Sequence, residues 1–398
     1  MTGPLAGIRI ADFTIHAAGP FCTHMLSQLG AECIKVESAV RPDAFRKPHP
    51  VYGRMGPATF DQVASNKLSV RINLKKPQGV ELAKQLVAVS DVAAESFRPG
   101  VLARLGLGFD ALQQVKKDII LLSISSSGQT GPDAHFAGYA PLFGAWGSLG
   151  TLTGYADGPP VEMRHVMDHT IGLNGALAVV AALNQRRATG EGGHVDVAGR
   201  EVAASLVGEA LLMAASGLPV GRLGNDHPRM APHGVYPAKG DDVWVSIAVG
   251  TEAEWRALVK VMGASALAAD NRFATAAKRH DNREALDAAV AAWTATLPPE
   301  EAVSRLQAAG VPAHASWSTE EIVADPHLRE RRAIVEVAEP DGRKRAAIGA
   351  PVRMSGTPDI GIVRGTPALG EHEDYVYGEL LGLTRAQRQA LQDEEVIH

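Results

Sequence analysis

Short strand-type runs alternate with helix-type segments over the first 125 residues, and this restricts the fold more than any other feature of the chain. Ile8 to Phe13 alternates as a strand, Ala17-Ala18-Gly19-Pro20 makes a turn, Phe21 to Leu29 reads as a helix stopped by Gly30, and Glu32 to Glu37 reads as the next strand. Two strands joined through a helix form a βαβ unit, which implies a parallel sheet. A second unit follows, with a helix over Val80 to Val89, a strand over Val92 to Phe97, a helix over Gly108 to Val115 and a strand over Ile119 to Ser125. The expected class is therefore α/β, a layered fold with helices on a parallel sheet.

Further along, a long helix from about Thr170 to Thr189 ends at Gly190, and another from about Glu201 to Ala215 ends at Gly217. Residues 1–216 are expected to form the large α/β domain and the Gly/Pro/Asn-rich stretch 217–240 a linker. Residues 241–324 then form a smaller α+β domain, with a strand over Val243 to Val249, helices over Glu252 to Met262, Asn282 to Thr296 and Pro299 to Ala309, and a strand over Ala313 to Trp317. Residues 325–398 are expected to return to the large domain through a hairpin, Ile334 to Ala338 and Arg345 to Ile348 around Asp341-Gly342, followed by an irregular tail.

Composition removes several classes of function. A formal charge of −5 argues against a nucleic-acid partner, and nine Phe, six Tyr and five Trp are too scattered for a base-stacking platform. The longest purely apolar run, Ala176 to Leu183, is far short of the roughly 20 residues that span a bilayer, so no membrane partner is expected. The start of the chain lacks a basic region ahead of an apolar stretch, and Cys22 and Cys33 lie in apolar surroundings, so a reducing cytoplasmic location is expected.

The chain contains no Walker loop, no G-x-G-x-x-G after a strand, no H-E-x-x-H, no C-x-x-C and no G-x-S-x-G, and its 14 His lack ligand spacing. No metal site is expected. What stands out is Asp168, just ahead of the apolar helix Ile171 to Leu183, at the position of an N-cap. Capping and catalysis are compatible there, because a helix N-terminus favours an ionised carboxylate and that carboxylate is already a nucleophile. The small residues of the 17–20 turn let a ligand approach backbone amides, a geometry suited to a developing oxyanion. Arg98 and Arg104 follow a strand end, where α/β sheets bind ligands, and Ser123 to Pro132 follows another.

Taken together, these segments resemble the class III CoA-transferase family, which includes formyl-CoA transferase, carnitine CoA-transferases and the related α-methylacyl-CoA racemases. The likeness covers nearly the whole chain. It is carried by Leu5 to Phe13, Ala18-Gly19-Pro20, Leu29-Gly30-Ala31, Ile34 to Glu37, Ser65 to Val70, Arg98-Pro99-Gly100, Gly128 to Pro132, Asp168, Thr189 to Gly192 and Ser355 to Pro358.

The resemblance implies that Asp168 is the nucleophile, attacking an acyl-CoA thioester and passing through an aspartyl anhydride and an aspartyl-CoA thioester. It implies that Ala17 and Ala18 supply oxyanion amides and that Tyr139 and Ala140 lie near the thioester. Ile72, Asn73, Leu74, Lys75, Ser96, Phe97, Arg98, Arg104 and Ala137 are implied to bind coenzyme A. No permanently bound cofactor is implied, since the CoA thioester is a substrate, and the donor expected from relatives is succinyl-CoA. The fold it implies has a Rossmann-like large domain whose parallel sheet is built from both chain ends, within an interlocked homodimer; a hetero-oligomer is the alternative.

Three departures from the family pattern bear on specificity. Ser38 replaces a basic residue often found after the Val-Glu pair, with Arg41 as the substitute; Ala17 replaces the glutamine of formyl-CoA transferases; and 221–233 lacks their glycine run. Formate or oxalate specificity is therefore not expected, and a larger acid is, with Trp146, Tyr155, Met163 and 225–236 as pocket candidates. Racemase relatives use a histidine within the segment that here reads Phe136 to Ala140, where this chain has Tyr139. An ordinary tyrosine, with a pKa of about 10, is a poor partner for removing an α-proton. Transferase is thus favoured over racemase, with His135, His165 and His169 keeping the second reading open, and over an inactive CoA-binding subunit, which Asp168 disfavours.

Overall fold

The computed structural model describes residues 2–48, 55–163, 166–338, 342–357 and 360–398. His165, Asp341 and Pro358 lie outside them. The chain divides into two units, the first comprising 1–150, 162–218 and 326–398 and the second 151–161 and 219–325.

The first unit is built on six strands, β1 (Arg9–Asp12), β2 (Glu32–Glu37), β3 (Leu68–Arg71), β4 (Val92–Glu95), β5 (Ile120–Ser125) and β6 (Gly193–Ala198). All are parallel, in the order β3-β2-β1-β4-β5-β6. This is the doubly wound order, and its direction reverses between β1 and β4, leaving a crevice at the carboxyl ends of those strands. The expected α/β class holds. The strands β3 and β6, in contrast, were not legible in the sequence.

Among the described residues, the α-helices between 18 and 215 are α1 (Ala18–Gln28), α2 (Met55–Ala64), α3 (Pro77–Ala88), α4 (Val101–Arg104), α5 (Phe109–Val115), α6 (Ala140–Trp146), α7 (Leu149–Leu152), α8 (Val166–Thr189), α9 (Gly199–Ser205) and α10 (Gly208–Ala215). Helices pack on both faces of the sheet, α1 and α8 on one and α3 and α5 on the other. Period-2 alternation along β1 sends Ile10 into one core with Leu26, Met167, Ile171 and Val179 of α1 and α8, and Ala11 into the other with Leu82, Leu86 and Leu112 of α3 and α5.

Three expectations change here. Ala18-Gly19-Pro20 is the first turn of α1 rather than a turn before it, proline being well tolerated there for want of an N–H to satisfy. The α8 helix begins at Val166, because buried Met167 and Ile171 extend its inner face by a turn, so Asp168 lies inside the first turn and is not the N-cap. The helix expected over 201–215 is broken, since the amides of Leu206 and Val207 turn back to Ala203 and Ala204 before α10 starts at Gly208.

The C-terminal segment carries α17 (Pro326–Glu330), the hairpin β10 (Ile334–Ala338) with β11 (Lys344–Ile348), a π-helix (Asp374–Leu380) and α18 (Arg385–Asp393). Among the described residues it adds no strand to the parallel sheet, contrary to a sheet built from both chain ends. Its last part, from Asp374, is largely helical, and it contributes Val376, Tyr377, Val396 and Ile397 to the core beside β3. The tail is also less irregular than expected, because Thr384 and Gln387 form a capping box that starts α18.

The second unit has an antiparallel sheet of β7 (His233–Pro237), β8 (Trp244–Ala248) and β9 (Ala313–Ala315). Around it lie α11 (Glu252–Met262), α12 (Ser265–Ala269), α13 (Ala276–Asp281), α14 (Arg283–Thr294), α15 (Pro299–Ala308) and α16 (Thr319–Ala324). Buried Tyr236, Ile247, Trp255, Leu258, Phe273, Leu286 and Leu306 form its core. The stretch 217–240 is therefore not simply a linker: β7, with Tyr236 packed inward, is part of this sheet.

By length and composition alone α8 is able to cross a bilayer. Its inner face is nevertheless part of the core, and Arg186 near its end bonds Asp91 at 2.8 Å. Leu173, Leu177 and Val180 remain exposed on its outer face.

Candidate active site

The chain leaving β1 is held from below by buried charge. Asp12 bonds Lys67 Nζ at 2.8 Å and accepts from Thr23 Oγ1 at 2.7 Å, while Lys67 also donates to Pro20 O at 2.9 Å. Burial would raise the Asp12 carboxyl, but Lys67 and Lys35 overcome this and hold it below the ordinary range. One network thus joins β1, the entry to β3 and the first turn of α1. Across the crevice, the Ser96 hydroxyl accepts from the Ile15 amide at 2.9 Å and donates to Ile15 O at 3.0 Å, bracing the β1 loop against the end of β4.

The first turn of α1 has no side-chain cap, and none of the described residues accepts from the Ala18 or Gly19 amide. Those donors are orphaned as at any helix start. Both α1 and α8 run from the carboxyl to the amino edge of the sheet, so they are parallel. They approach closely because α8 presents glycines: a Cβ on Gly172 would lie 2.8 Å from Ala18 O and 3.1 Å from Cys22 N, and one on Gly175 would lie 3.1 Å from Cys22 Sγ. Asp168 is one turn earlier than Gly172 and on the same helix face. The half-buried Asp168 is therefore placed toward the N-terminal end of α1, about 6 Å along the axis from the Gly172–Ala18 contact. Phe21, in the same turn of α1, meets the next residue, His169, edge to face at 4.3 Å.

Tyr139 is exposed and packs edge to face with His16 at 6.2 Å, and Phe45 does the same at 6.0 Å. His16 has a φ of 64°, a left-handed conformation that a non-glycine residue rarely adopts, immediately before Ala17. Nothing in its sequence context marked it. Ala140 is buried and starts α6, with Ala137 exposed ahead of it.

The residues implied to bind CoA fall into two groups. Ser96, Phe97 and Arg98 follow β4, and exposed Arg104 sits over Gly100, 3.1 Å from where its Cβ would be. Ile72, Asn73, Leu74 and Lys75 follow β3, three strands away and so about 14 Å off. The Ile72 side chain is buried in the core, which limits it to backbone contact. Asn73 bonds the chain end, its amide to Val396 O at 2.8 Å and its Nδ2 to Glu395 O at 3.2 Å. Arg41 is exposed, its amide held by Ser38 Oγ at 3.1 Å. Of the pocket candidates, Trp146 and Met163 belong to the first unit, whereas Tyr155 belongs to the second, where Asn225 donates to its hydroxyl at 3.0 Å.

The profile of CoA-transferase family III matches residues 5–373. The chain belongs to CoA-transferase family III. It is 34% identical over 399 residues to a succinyl-CoA–D-citramalate CoA-transferase of Chloroflexus aurantiacus, covering 99% of this chain and 98% of that one. It is 33% identical to a succinate–glutarate CoA-transferase of Agrobacterium fabrum, covering 96% and 97%. A crystal structure of a CAIB/BAIF family protein from Brucella suis superposes with a TM-score of 0.86 at 31% identity, over 96% of this chain and 100% of that one.

In this family III chain, the segment Ser123 to Pro132, which sequence reading placed at a strand end, carries buried polar atoms that it did not foresee. Ser125 Oγ, Ser127 Oγ and Gln129 Nε2 are buried and lack a hydrogen-bond partner among the described residues. Beside them, the buried Glu95 carboxyl accepts from the Phe97 amide at 2.6 Å, and its pKa is pushed up to about 7 by burial, with Asp196 adding to the effect. Both thiols, Cys22 and Cys33, are free and buried, which raises their pKa values.

Proposed function

We propose that the chain transfers CoA from a donor thioester, succinyl-CoA, to an organic acid through covalent intermediates on Asp168. What supports this reading is the parallel, glycine-mediated contact of α8 with α1, which brings the first turn of α8, the turn that contains Asp168, toward the uncapped start of α1. Two charge-developing centres, a nucleophilic oxygen and an oxyanion, need those two features side by side.

The chemistry balances without ATP. An Asp168 oxygen adds to the thioester carbonyl, the Ala17 and Ala18 amides hold the tetrahedral oxyanion, and CoA leaves as thiolate. The resulting aspartyl-acyl anhydride is attacked by that thiolate at the aspartyl carbonyl, releasing the donor acid and forming aspartyl-CoA thioester. The acceptor carboxylate then displaces thiolate, and the thiolate takes the acceptor acyl group, regenerating Asp168. Each step conserves the activation of the thioester as long as water is excluded.

Arg98 and Arg104 supply cations for the CoA phosphates, with Ser96, Phe97 and 72–75 along the carboxyl edge; Tyr139, Ala137 and Ala140 flank the thioester. The names of the two transferases support succinyl-CoA as donor and a dicarboxylic acceptor. A second copy covers exposed Leu173, Leu177 and Val180 in a homodimer, and two unpaired buried thiols suit a reducing cytoplasm. The test is CoA exchange between succinyl-CoA and a panel of acids, followed by mass spectrometry. Asp168→Ala is expected to fold and to lose exchange by at least 10³-fold; wild-type rates in that variant overturn the reading.

A further inference from the structure

Across β4, β5 and β6, Glu95 stands opposite Ser123, and Ser123 opposite Asp196. These three side chains share one face of the sheet at its carboxyl end, the face that α3 and α5 cover. Each acidic member grips the loop beyond a strand: Glu95 Oε2 accepts from the Phe97 amide at 2.6 Å, and Asp196 Oδ2 accepts from the Gln129 amide at 2.8 Å. Ser123 lowers the Glu95 pKa and lies 2.9 Å from His194 Nε2, whose ring stacks on Phe109 at 5.6 Å. Gly128 has a φ of 86°, and a Cβ there would sit 3.4 Å from the Asp196 carboxylate, so the loop runs directly over that group.

We propose that Glu95 is a positioning residue for coenzyme A, holding the Phe97 amide so that the Phe97-Arg98-Pro99-Gly100 turn presents Arg98 and Arg104 in a binding-competent arrangement, while Asp196 fixes the facing loop at Gln129. The inference rests on the CoA-transferase reading above. Its physical basis is that an ionised acceptor makes a stronger bond to an amide than a neutral one, and a turn held by such a bond loses less freedom when the ligand binds.

The carboxyl titrates where this matters, because burial brings its pKa to about 7. The groups facing it are few. Asp196 on β6 raises the pKa, Ser123 on β5 and the Phe97 amide lower it, and His194 on β6 has its own pKa lowered, chiefly by burial, with Asp110 of α5 and Asp196 opposing. On the neighbouring strand, Asp12 projects from the opposite face and is paired with Lys67. Raising the pH through 7 therefore ionises Glu95 and tightens the turn, so CoA binding strengthens.

The experiment measures CoA binding by titration calorimetry and the KM of succinyl-CoA in exchange, from pH 5.5 to 8.5, for wild type, Glu95→Leu and Glu95→Gln. At pH 8, Glu95→Leu is expected to raise both the Kd of CoA and the KM by about tenfold with kcat within about threefold, as loss of one charge-assisted bond predicts. Glu95→Gln, which keeps an acceptor but cannot ionise, is expected to lose the fall in Kd and KM that wild type shows between pH 6 and 8. Unchanged constants in Glu95→Leu, or a wild-type pH profile in Glu95→Gln, overturn the proposal. If Glu95→Leu does not fold, the Glu95→Gln profile decides alone. A wild-type protein that neither binds CoA nor exchanges it refutes the transferase reading instead, which keeps the two failures apart.

Discussion

Replacing Gly172 by alanine tests whether the spacing of two helices sets the reaction geometry. The added Cβ would sit 2.8 Å from Ala18 O, 3.0 Å from Phe21 Cδ1 and 3.1 Å from Cys22 N. Two of those atoms are backbone and cannot swing aside, so α8 must retreat by about 0.6 Å to restore an ordinary 3.4 Å contact. Overpacking of this kind costs about 1–3 kcal/mol, offset by about 1 kcal/mol of better helix propensity, which leaves a net loss of about 0–2 kcal/mol. Thermal unfolding should shift down by only a few degrees. On the proposed mechanism the same retreat moves Asp168 away from the start of α1, and misplacement approaching 1 Å is worth up to about 100-fold in rate. The prediction is a kcat for exchange reduced about 10- to 100-fold in a folded protein. Gly208→Ala, where a Cβ meets nothing within 4 Å, serves as the control and should leave kcat unchanged. A fully active Gly172→Ala protein would refute the argument from helix contact.

Two further predictions concern buried charge. Lys67→Met leaves Asp12 ionised without its closest cation and should lower the urea-unfolding free energy by about 3–5 kcal/mol. No loss would mean that Asp12 is neutral in the folded state. For Glu95, the folded-state pKa of about 7 exceeds the ordinary 4.5, so the native protein holds this proton more tightly than the unfolded chain. Its contribution is fully present below pH 4.5 and is lost as pH rises through 7, a decline of about 3 kcal/mol that Glu95→Gln should lack. Equal slopes of unfolding free energy against pH for the two proteins would contradict this.

Local pattern carried the strands β1, β2, β4 and β5, because each is a short stretch with apolar residues in strand-type spacing that alternates along the chain with a helix-type segment. The strand β6, Gly193–Ala198, hides behind two glycine-type breaks and alternating His194 and Asp196, and β3 is only four residues of mixed polarity. At the site, Asp168 and the small residues at 17–20 were visible because an acidic residue ahead of an apolar helix and a small-residue stretch after a strand are local patterns, although both were read slightly out of place. The contact between their two helices was not visible, since it depends on Gly172 and Gly175 meeting a helix about 150 residues earlier in the chain. Glu95 and Asp12 were invisible for a related reason. A single acidic residue at a strand end looks like solvent-facing alternation until the neighbouring strand supplies Ser123 or Lys67. His16 carried no signal in the sequence, for its left-handed backbone appears only once β1 turns into α1.

The central claim is that acyl groups pass through a covalent bond to Asp168. The most direct measurement is to mix the protein with succinyl-CoA, quench with hydroxylamine and map the modified peptide by mass spectrometry. A hydroxamate on Asp168 that forms only when the thioester is present is the predicted result. Exchange that proceeds at full rate with Asp168 unmodified, or with the label on another side chain, would contradict it.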